Sequence, residues 1–500
     1  MALPDLIEIV LLDKPVRAEI TVPGSKSITN RALILAALAD GEITLTGALW
    51  SEDTQIMVEC LQKLGFEIRV ENDPEEFCNR AITVKGLGGK IPNGGTTEKP
   101  LELFVGNAGT AARFLSAFVC LGNGVYRLSG VARMHERPQA ALFSALRELG
   151  YRVESENGND KLPVKIYGRD AVSASQNVPE KVRDGDTPSV PKKCRVSIEE
   201  SSQFASALLL CAKVGNWKIE VVGENAEESP YVAMTLKLME VFPKNGGTFQ
   251  IEPDASSGSY FLVIDRLVPH GPEHLEYSEQ FGIEVPTNEL NRIDVAHWPD
   301  SGWQVDELFR NYLLLGNCAR EAHELDRKRV PVNRELLDKL TKRSPKWTIS
   351  RKNDLGDSIM TAIVWSAEEE SRFILSDEKT FQFTDLGRLR LQETERVVAL
   401  RTELTRCGAK VVEEGDTLTV WPSPLHGAEI ETYNDHRMAM CFAILGLKVP
   451  GIKIKNPACV KKTFPNFFQK LAAQPPHGLG ATILDAKSGR KLELNELFAD

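Results

Sequence analysis

Residues 23–35 read Pro23-Gly24-Ser25-Lys26-Ser27-Ile28-Thr29-Asn30-Arg31-Ala32-Leu33-Ile34-Leu35. Residues 18–22 before them predict a strand, and the Pro-Gly pair predicts a tight turn. The small hydroxyl residues that follow predict the N-cap of an apolar helix running to about Ala39. Such a helix start presents unpaired backbone N–H groups and a partial positive charge. Lys26 adds a cation, and Ser27 and Arg31 share one helical face, so this segment predicts an anion site.

The segment alone is equally compatible with an ordinary capped helix. It lacks the G-x-x-x-x-G-K-[ST] spacing of a nucleotide-binding P-loop, and no G-x-G-x-x-G opens its helix. The hypothesis of an anion site therefore depends on whether the rest of the chain repeats the same arrangement.

The order of a strand, a small polar turn and an apolar helix does recur. The further turns and helices are predicted at 106–110 and 111–121, 200–203 and 204–212, 254–257 and 260–264, 354–358 and 359–366, and 433–437 and 438–447. With the first, these make six units, three in each half of the chain. Such repeats indicate an architecture assembled from one supersecondary unit, and the alternation of strands and helices predicts the α/β class.

Composition limits the possible functions. The chain has 500 residues, of which 42% are apolar and 26% charged, with a formal net charge of −10. The length predicts two to four domains, and the acidic balance argues against a nucleic-acid-binding protein. The nine cysteines contain no C-x-x-C pair and the eight histidines have no metal-ligand spacing, so we expect reduced, packing cysteines and no metal.

Targeting signals are absent from the sequence as given. No apolar run approaches the length of a membrane span, and the first twenty residues lack an apolar core behind basic residues. We therefore expect a cytoplasmic protein with no membrane partner. A plastid location is the alternative if a transit peptide has been removed.

Several stretches interrupt the repeats. Residues 86–97 are Gly-rich and predict a surface loop, residues 172–193 are polar, and residues 268–347 are Pro-broken and charged, with a helix predicted near 305–315. The residues after Gln474 contain Pro475-Pro476 and are interpreted as a linker remnant, a tail or an added edge.

Basic clusters lie at 133–138, 388–396 and 461–465. Each one alone is typical of a solvated surface. Together with six helix starts, they indicate a cleft between two lobes that is lined with donors for doubly charged substrates.

Seven motifs carry a family resemblance. They are PGSKSITNRALILAALADG, LFVGNAGTAARFL, RMHERP, ESSQFASALLL, PDASSGSYF, TYNDHRMAMCF and KKTFPNFF. In this order, from about Ile7 to Ala472, they resemble the 5-enolpyruvylshikimate-3-phosphate (EPSP) synthases. The pair Arg113-Phe114 resembles the version found as one domain of the fungal pentafunctional shikimate-pathway polypeptide, and this resemblance implies that the chain is part of such a multifunctional chain.

The resemblance implies a two-lobed enolpyruvyl transferase fold, an inside-out α/β barrel with three βαβαββ-type repeats in each lobe. The N-terminal lobe would span 25–252. The C-terminal lobe would combine 1–24 with 253–474, leaving 475–500 as a tail. Hinges would lie near Pro23-Gly24 and Pro253-Asp254.

The implied reaction transfers the enolpyruvyl group of phosphoenolpyruvate (PEP) to the 5-hydroxyl of shikimate 3-phosphate and releases phosphate. It proceeds by addition to the double bond and then elimination, with no cofactor, no metal and no covalent enzyme adduct. The chemistry needs a base at the hydroxyl, an acid at the PEP methylene, and cations for the phosphate and carboxylate groups.

The resemblance also implies roles for individual residues. Asp357, with Lys26 beside it, would be the base, and Glu393 would exchange a proton with the methylene. The residues implied to bind PEP are Lys26, Asn107, Gly109, Thr110, Arg137, Gln203, Arg396, Asp435, Arg437 and Lys462. Those implied to bind shikimate 3-phosphate are Lys26, Ser27, Arg31, Ser201, Ser202, Gln203, Asp357, Arg388 and Gln392. The structural alternatives are an N-cap for Asp357 and an i,i+3 partner of Arg396 for Glu393.

The sequence departs from the family pattern at the positions implied to bind the phosphate group of the acceptor. Gln392 stands where a lysine is expected, and Arg388, in place of an asparagine, would restore that charge. Glu228 or Ser229 falls near a phosphate-binding serine, where a carboxylate would oppose the phosphate. About one strand–helix piece is missing between residues 239 and 254, while 268–347 is longer than usual.

Two alternatives follow. One is a related carboxyvinyl transferase with a different acceptor alcohol. Its UDP-N-acetylglucosamine version would need a reactive cysteine within 132–138, and none is there. The other is a non-catalytic domain of the same fold, which the complete set of Lys26, Arg137, Asp357, Glu393 and Arg437 argues against. The unsubstituted Gly109 implies inhibition by glyphosate at the PEP site.

Overall fold

The structure is a computed structural model that describes residues 3–14, 16–169, 191–223, 229–267, 293–313, 346–368 and 380–499. Its strands are β1 (Leu6–Ile9), β2 (Ala18–Ile20), β3 (Asp40–Leu49), β4 (Ile68–Asn72), β5 (Asn79–Leu87), β6 (Leu101–Phe104), β7 (Val125–Ser129), β8 (Val153–Ser155), β9 (Val164–Tyr167), β10 (Lys192–Ser197), β11 (Trp217–Val222), β12 (Gly247–Gln250), β13 (Ile293–Val295), β14 (Lys346–Ser350), β15 (Thr380–Thr384), β16 (Lys410–Glu414), β17 (Thr417–Trp421), β18 (Glu429–Ile430), β19 (Lys453–Lys455) and β20 (Ile483–Asp485).

The helices alternate with these strands. They are α1 (Lys26–Leu38), α2 (Glu52–Lys63), α3 (Gly109–Phe118), α4 (Ala132–Glu136), α5 (Ala140–Glu148), α6 (Gln203–Gly215), α7 (Pro230–Val241), α8 (Ala255–Leu267), α9 (Phe309–Leu313), α10 (Ile359–Ser366), α11 (Arg396–Arg406), α12 (His436–Gly446) and α13 (Phe467–Ala472). Short 3-10 helices cover Val119–Leu121, Val305–Leu308, Leu386–Leu391, Pro457–Lys462 and Leu494–Glu496. The α/β prediction is confirmed.

The chain divides into two compact units. One contains residues 24–251, and the other combines residues 1–23 with 252–500. The boundaries therefore lie beside Pro23-Gly24 and Pro253-Asp254, and the assignment of hinges to these positions stays a prediction.

Three sheets make up the described part of the unit 24–251. In the sheet β6-β7-β9-β8, β6 and β7 are parallel, and the closing pairs β7–β9 and β8–β9 are antiparallel. The sheet β12-β3-β5-β4 has the same pattern, with β12 as the parallel partner of β3. The third sheet is only the parallel pair β10–β11. Among the described residues it has no closing antiparallel pair. The chain continues from it through α7 to β12, in agreement with the missing piece expected between residues 239 and 254.

The described part of the other unit also has three sheets. The sheet β14-β15-β17-β16 repeats the βαβαββ order. The sheet β18-β19-β1-β20 takes β1 from the start of the chain and β20 from its end. The third sheet is the parallel pair β2–β13. The residues 483–485 thus form an added edge to a sheet, not a loose tail or a linker remnant.

The buried apolar side chains of this second unit form one hydrophobic cluster. Helices α8, α10 and α12 lie at its centre, and Phe261, Ile363 and Phe442 are fully buried there. Buried Leu479 and Leu497 belong to the same cluster, which explains why the C-terminal segment is ordered. Burial of such side chains contributes about 1.5–3 kcal/mol each.

The six predicted turns each lead from a strand into a helix. The strand–helix pairs are β2–α1, β6–α3, β10–α6, β12–α8, β14–α10 and β18–α12. The predicted bounds of α10 are met, while α8 begins at Ala255, so that Ser256 and Ser257 lie inside the helix and not in a turn before it. The helix predicted near 305–315 is present as a 3-10 turn followed by α9, as far as the described residues extend. The strand β13 within 268–347 was not predicted.

Candidate functional site

The unit built from 1–23 and 252–500 gathers charged side chains around Asp357. Its Oδ1 lies 2.8 Å from Arg351 Nη2, and its Oδ2 lies 3.2 Å from Arg437 Nη2 and 4.0 Å from Arg396 Nη1. These residues come from the turn before α10, the first turn of α12 and the start of α11. Helix starts favour anions, and three arginines reinforce that preference. The arrangement keeps a carboxylate ionised and leaves an excess of cations around it.

Asp357 is held in the ionised form by its neighbours. Burial alone would raise its pKa, but Arg437, Arg351 and Arg396 together hold the pKa of this carboxyl well below its usual range. The N-cap alternative for Asp357 is wrong, because Ser358 occupies the N-cap of α10. A carboxylate in this state is a weak base.

Glu393 lies in the same cluster. Its Oε2 is 2.9 Å from Arg396 Nη2, so the predicted i,i+3 pair is present, and its Oε1 is 3.2 Å from Lys462 Nζ. The side chains of Glu393 and Lys462 are 10% and 7% exposed. A carboxyl group between two cations in a nearly closed environment is suited to carry a proton to and from a bound molecule.

Asp435 orients Arg396. The arginine Nε lies 2.6 Å from Asp435 Oδ2 and its Nη2 lies 3.1 Å from Oδ1, a bidentate pair with side chains 0% and 1% exposed. Asp435 also caps α12 by accepting a hydrogen bond from the backbone N–H of Arg437. Asp435 was predicted among the residues that bind PEP; in this structure both of its oxygens are occupied by protein groups, so it positions Arg396.

Arg437 is nearly buried beside Asp357 and donates to the hydroxyl of Tyr260 at 3.4 Å. Burial would lower its pKa, but the negative charge of Asp357 raises the pKa of Arg437 well above its ordinary value. Within the described residues its Nε is buried without a hydrogen-bond partner. Burying such a donor costs about 1–3 kcal/mol, and a bound anion would recover part of that cost.

Of the residues that depart from the family pattern, Gln392 contacts this cluster. Gln392 accepts a hydrogen bond from Arg396 Nη1 through its Oε1. Arg388 is half-buried in the 3-10 helix Leu386–Leu391. Glu228 lies outside the described residues. Ser229 is the N-cap of α7, and its hydroxyl is buried without a hydrogen-bond partner in the described part of the chain.

Sequence reasoning missed two residues of this unit. Arg351 pairs with Asp357, and Asp306 arranges the turn that carries Asp357. Asp306 Oδ1 accepts from the backbone N–H groups of Gly356 at 2.7 Å and Ser358 at 3.2 Å, and Oδ2 accepts from that of Asp357 at 3.2 Å. Nothing local marks Asp306, since its partners lie about fifty residues further along the chain.

The unit 24–251 holds a second group of predicted residues. Lys26, the first residue of α1, has its Nζ 3.2 Å from Asp53 Oδ2, and the two side chains are 19% and 4% exposed. Asp53, in the first turn of α2, was not predicted. It fixes the ammonium group of Lys26 while leaving part of it accessible.

Arg31 is more deeply buried than its predicted role suggested. Its Nε donates to Thr235 Oγ1 at 2.8 Å, its Nη1 to the carbonyl of Ser27 at 2.8 Å, and its Nη2 to Ser206 Oγ at 3.0 Å. Burial lowers the pKa of Arg31 to about 10. Most of its donors are therefore used to join α1 to α6 and α7. The side chain of Ser27 stays half-buried at the start of the same helix.

Gly109 opens α3 within the predicted turn at 107–110. Arg137 is nearly buried, and its Nη1 donates to the carbonyl of Asn107 at 3.4 Å. A side chain on Gly109 would collide with this arginine, because an added Cβ would lie 2.8 Å from its Nη2. Gln203 donates to Thr110 Oγ1 at 3.1 Å, so the start of α6 meets the start of α3.

Ser201 and Ser202 precede α6. The hydroxyl of Ser201 accepts a hydrogen bond from the backbone N–H of Gln203 at 3.3 Å, and Ser202, the N-cap, is 5% exposed. The predicted residues of this unit are thus grouped at the starts of α1, α3 and α6.

The described residues contain no helix long and apolar enough to cross a membrane. They also contain no group of three or more His, Cys, Asp or Glu side chains placed to hold a metal ion.

The sequence of the chain is similar to a known family and to several of its members. Residues 12–269 and 353–471 match the family model of EPSP synthase (3-phosphoshikimate 1-carboxyvinyltransferase). A 3-phosphoshikimate 1-carboxyvinyltransferase from Trichormus variabilis is 36% identical over 487 residues, covering 93% of this chain and 98% of the relative. One from Opitutus terrae is 34% identical over 499 residues, covering 94% and 98%.

Two solved structures share the fold. EPSP synthase from Acinetobacter baumannii superposes with a TM-score of 0.57 at 19% identity, covering 96% of this chain and 99% of that one. The enolpyruvyl transferase NikO from Streptomyces tendae gives 0.57 at 15% identity, covering 98% and 99%. By its fold, the chain is therefore an α/β protein of the enolpyruvyl transferase type. With the family-model match and the identity of its relatives, it belongs to the EPSP synthase family.

Proposed function

We propose that this protein is a 3-phosphoshikimate 1-carboxyvinyltransferase, which transfers the enolpyruvyl group of PEP to the 5-hydroxyl of shikimate 3-phosphate and releases phosphate. One observation carries the proposal: Arg351, Arg396, Arg437 and Lys462 surround the nearly buried carboxylates Asp357 and Glu393. A carboxylate pair within an excess of cations suits proton transfer on anionic substrates.

The cations have separate tasks in this proposal. Arg396, Arg437 and Lys462 bind the phosphate and carboxylate of PEP, and Arg137, whose Nη1 donates to the carbonyl of Asn107, is assigned to PEP as well. Charge-assisted hydrogen bonds of this kind contribute roughly 1.5–3 kcal/mol each. The acceptor is bound by the starts of α1 and α6, where Lys26, Ser27, Arg31, Ser201, Ser202 and Gln203 lie.

The chemistry proceeds in two stages. In the addition, Asp357 takes the proton of the 5-hydroxyl, the oxygen attacks C2 of PEP, and Glu393 gives a proton to the methylene, which becomes a methyl group. In the elimination, the methyl group returns a proton to Glu393 as the C–O bond to phosphate breaks. The double bond re-forms and phosphate leaves with the electron pair of that bond.

Substrate binding prepares Asp357 for its task. Without substrate, Arg437, Arg351 and Arg396 hold its pKa well below the usual range. When the anions of PEP bind Arg396 and Arg437, their positive charge is offset and the carboxylate becomes a stronger base. The base is thereby activated when the donor is in place.

A second candidate function differs in the acceptor alcohol. Gln392 contacts Arg396 at the position where the family pattern has a lysine, and an uncharged amide there weakens attraction to a phosphate. A carboxyvinyl transferase that uses another alcohol is the corresponding alternative.

We also propose an inside-out α/β barrel built from βαβαββ-type repeats, a cytoplasmic location, and a role as one domain of a multifunctional shikimate-pathway chain. The relatives above are matched over 98% of their own lengths, so they offer no parallel for the last of these.

Phosphate release from PEP tests the proposal. We expect phosphate release with shikimate 3-phosphate at least tenfold faster than with shikimate, because the 3-phosphate adds charge-assisted hydrogen bonds. Equal rates with both would favour a different acceptor. Release with neither would favour the non-catalytic alternative and overturn the proposal.

A further inference from the structure

The two oxygens of Asp357 face different partners. Oδ2 faces Arg437 at 3.2 Å and Arg396 at 4.0 Å, which are the arginines proposed to bind PEP. Oδ1 faces Arg351, with an N–O distance of 2.8 Å. The carboxylate thus has one side toward the donor's binding residues and one side toward a partner with no other task in the proposed reaction.

Arg351 is built into the scaffold. It follows β14 directly, its backbone N–H donates to the carbonyl of Thr384 at 3.1 Å, and its side chain is 7% exposed. Its Nε is buried and has no hydrogen-bond partner among the described residues. An arginine held in this way loses little further conformational freedom on pairing with Asp357.

The other charged groups near Asp357 do not replace Arg351. Arg437 reaches Oδ2 from α12, Arg396 reaches it from the start of α11, and Asp306 accepts from the backbone N–H of Asp357 at 3.2 Å. Once substrate anions offset Arg396 and Arg437, the remaining paired cation is Arg351. Asp306 then opposes the ionised carboxylate through its own negative charge.

We infer that Arg351 is a positioning residue: it holds Asp357 through Oδ1 and keeps this carboxylate ionised and oriented while the anions of PEP occupy Arg396 and Arg437. This inference rests on the proposed function, because it assigns Asp357 as the base. It adds a residue outside the motifs that carry the family resemblance.

The test is the pH dependence of kcat at saturating substrates for the wild type and Arg351→Met, with Arg401→Met as a matched control. Arg401 pairs with Glu413 on the exposed side of α11, and its side chain is 43% exposed. A base loses activity as the pH falls through its pKa, and removal of a cation at 2.8 Å raises that pKa. We expect the acid limb of Arg351→Met to move upward by about one pH unit or more, and that of Arg401→Met to coincide with the wild type.

A structural role would give a different result. Loss of kcat by one factor at every pH, an unchanged profile, or a raised KM for the acceptor with an unmoved acid limb would each overturn the inference. Arg351→Lys keeps the positive charge, so the acid limb of its kcat profile should lie close to that of the wild type. If Arg351→Met does not fold, Arg351→Gln carries the same expectation, since it offers Oδ1 a donor without the charge. A wild type without turnover would overturn the proposed function, and this role with it.

Discussion

Arg396 binds Asp435 through two parallel hydrogen bonds, 2.6 Å from Nε to Oδ2 and 3.1 Å from Nη2 to Oδ1, with both side chains buried. The same arginine contacts Glu393 and Gln392 with its remaining donors. One buried aspartate thus fixes a cation that meets the proposed proton carrier and lies near the proposed base. The geometry of the site depends on a residue that need not touch substrate.

Asp435→Asn tests this dependence. Removing one charge from a buried ion pair costs about 3–5 kcal/mol, while asparagine still serves as an N-cap for α12. We expect the free energy of unfolding in urea to fall by that amount and kcat/KM for PEP to fall as well. Asp416→Asn is the control, because the side chain of Asp416, which pairs with Arg390, is 60% exposed. This substitution should lower the free energy of unfolding by less than about 1 kcal/mol. Equal losses in the two variants would contradict the account.

Lys26→Met separates catalysis from stability. Loss of the ammonium group should lower kcat/KM by about 100-fold or more, because it removes a preorganised cation. It also leaves the nearly buried Asp53 without its ion-pair partner in the described structure. The double variant with Asp53→Asn should regain thermal stability without regaining activity. Recovery of both together would show that Lys26 acts only as a structural partner.

Gly109→Ala should weaken PEP binding. The new Cβ would lie 2.3 Å from Arg113 Nη1 and 2.9 Å from Arg137 Cζ, so Arg137 must move from its place. Loss of one charge-assisted hydrogen bond of about 1.5–3 kcal/mol raises KM for PEP by roughly 10- to 150-fold. The KM for shikimate 3-phosphate should stay near the wild-type value.

Inhibition gives a second readout for this glycine. The family resemblance implies that glyphosate competes with PEP, and we expect the inhibition to weaken in Gly109→Ala. Unchanged KM for PEP and unchanged inhibition would remove Arg137 from the donor's site.

A pH prediction concerns Glu403. Its fully buried carboxylate accepts from the hydroxyl of Tyr433 at 2.8 Å, and Tyr433 belongs to the turn before α12. Burial raises the pKa of Glu403. Above the ordinary glutamate pKa of about 4.3, the folded state therefore binds more protons than the unfolded state. The free energy of unfolding of the wild type then falls as the pH rises through the raised pKa of Glu403.

Glu403→Gln cannot ionise but can still form hydrogen bonds with Tyr433. The variant's free energy of unfolding, measured relative to the wild type, should therefore increase as the pH rises from about 4.3 to neutral pH. A difference that stays constant over this range would show that Glu403 does not titrate there.

The sequence predicted the helix starts well because their signals are local. Apolar runs preceded by small polar residues located α1, α3, α6, α10 and α12 to within a few residues. The charged residues of the motifs also lie at these starts. Glu393 is found beside Arg396, the i,i+3 partner expected for it, while the placement of Lys26 beside Asp357 stays a prediction.

The rest depends on contacts between distant parts of the chain. Asp306 pairs with backbone groups about fifty residues away, and Asp53 meets Lys26 from another helix. Strand β20 lies beside β1 although the two are at opposite ends of the chain. Local periodicity carries no information about such partners. The burial of Arg31 was missed for the same reason, since Ser206 and Thr235 close over it from α6 and α7.

The most direct test of the account is the fate of the PEP carbon skeleton. PEP labelled with ¹³C at C2 is incubated with shikimate 3-phosphate and the enzyme, and the products are followed by NMR. We predict equal amounts of inorganic phosphate and an enol ether that retains the labelled carbon and its methylene group. Labelled pyruvate with phosphate, or labelled PEP that remains unchanged, would contradict the claim that these residues transfer an enolpyruvyl group to the acceptor.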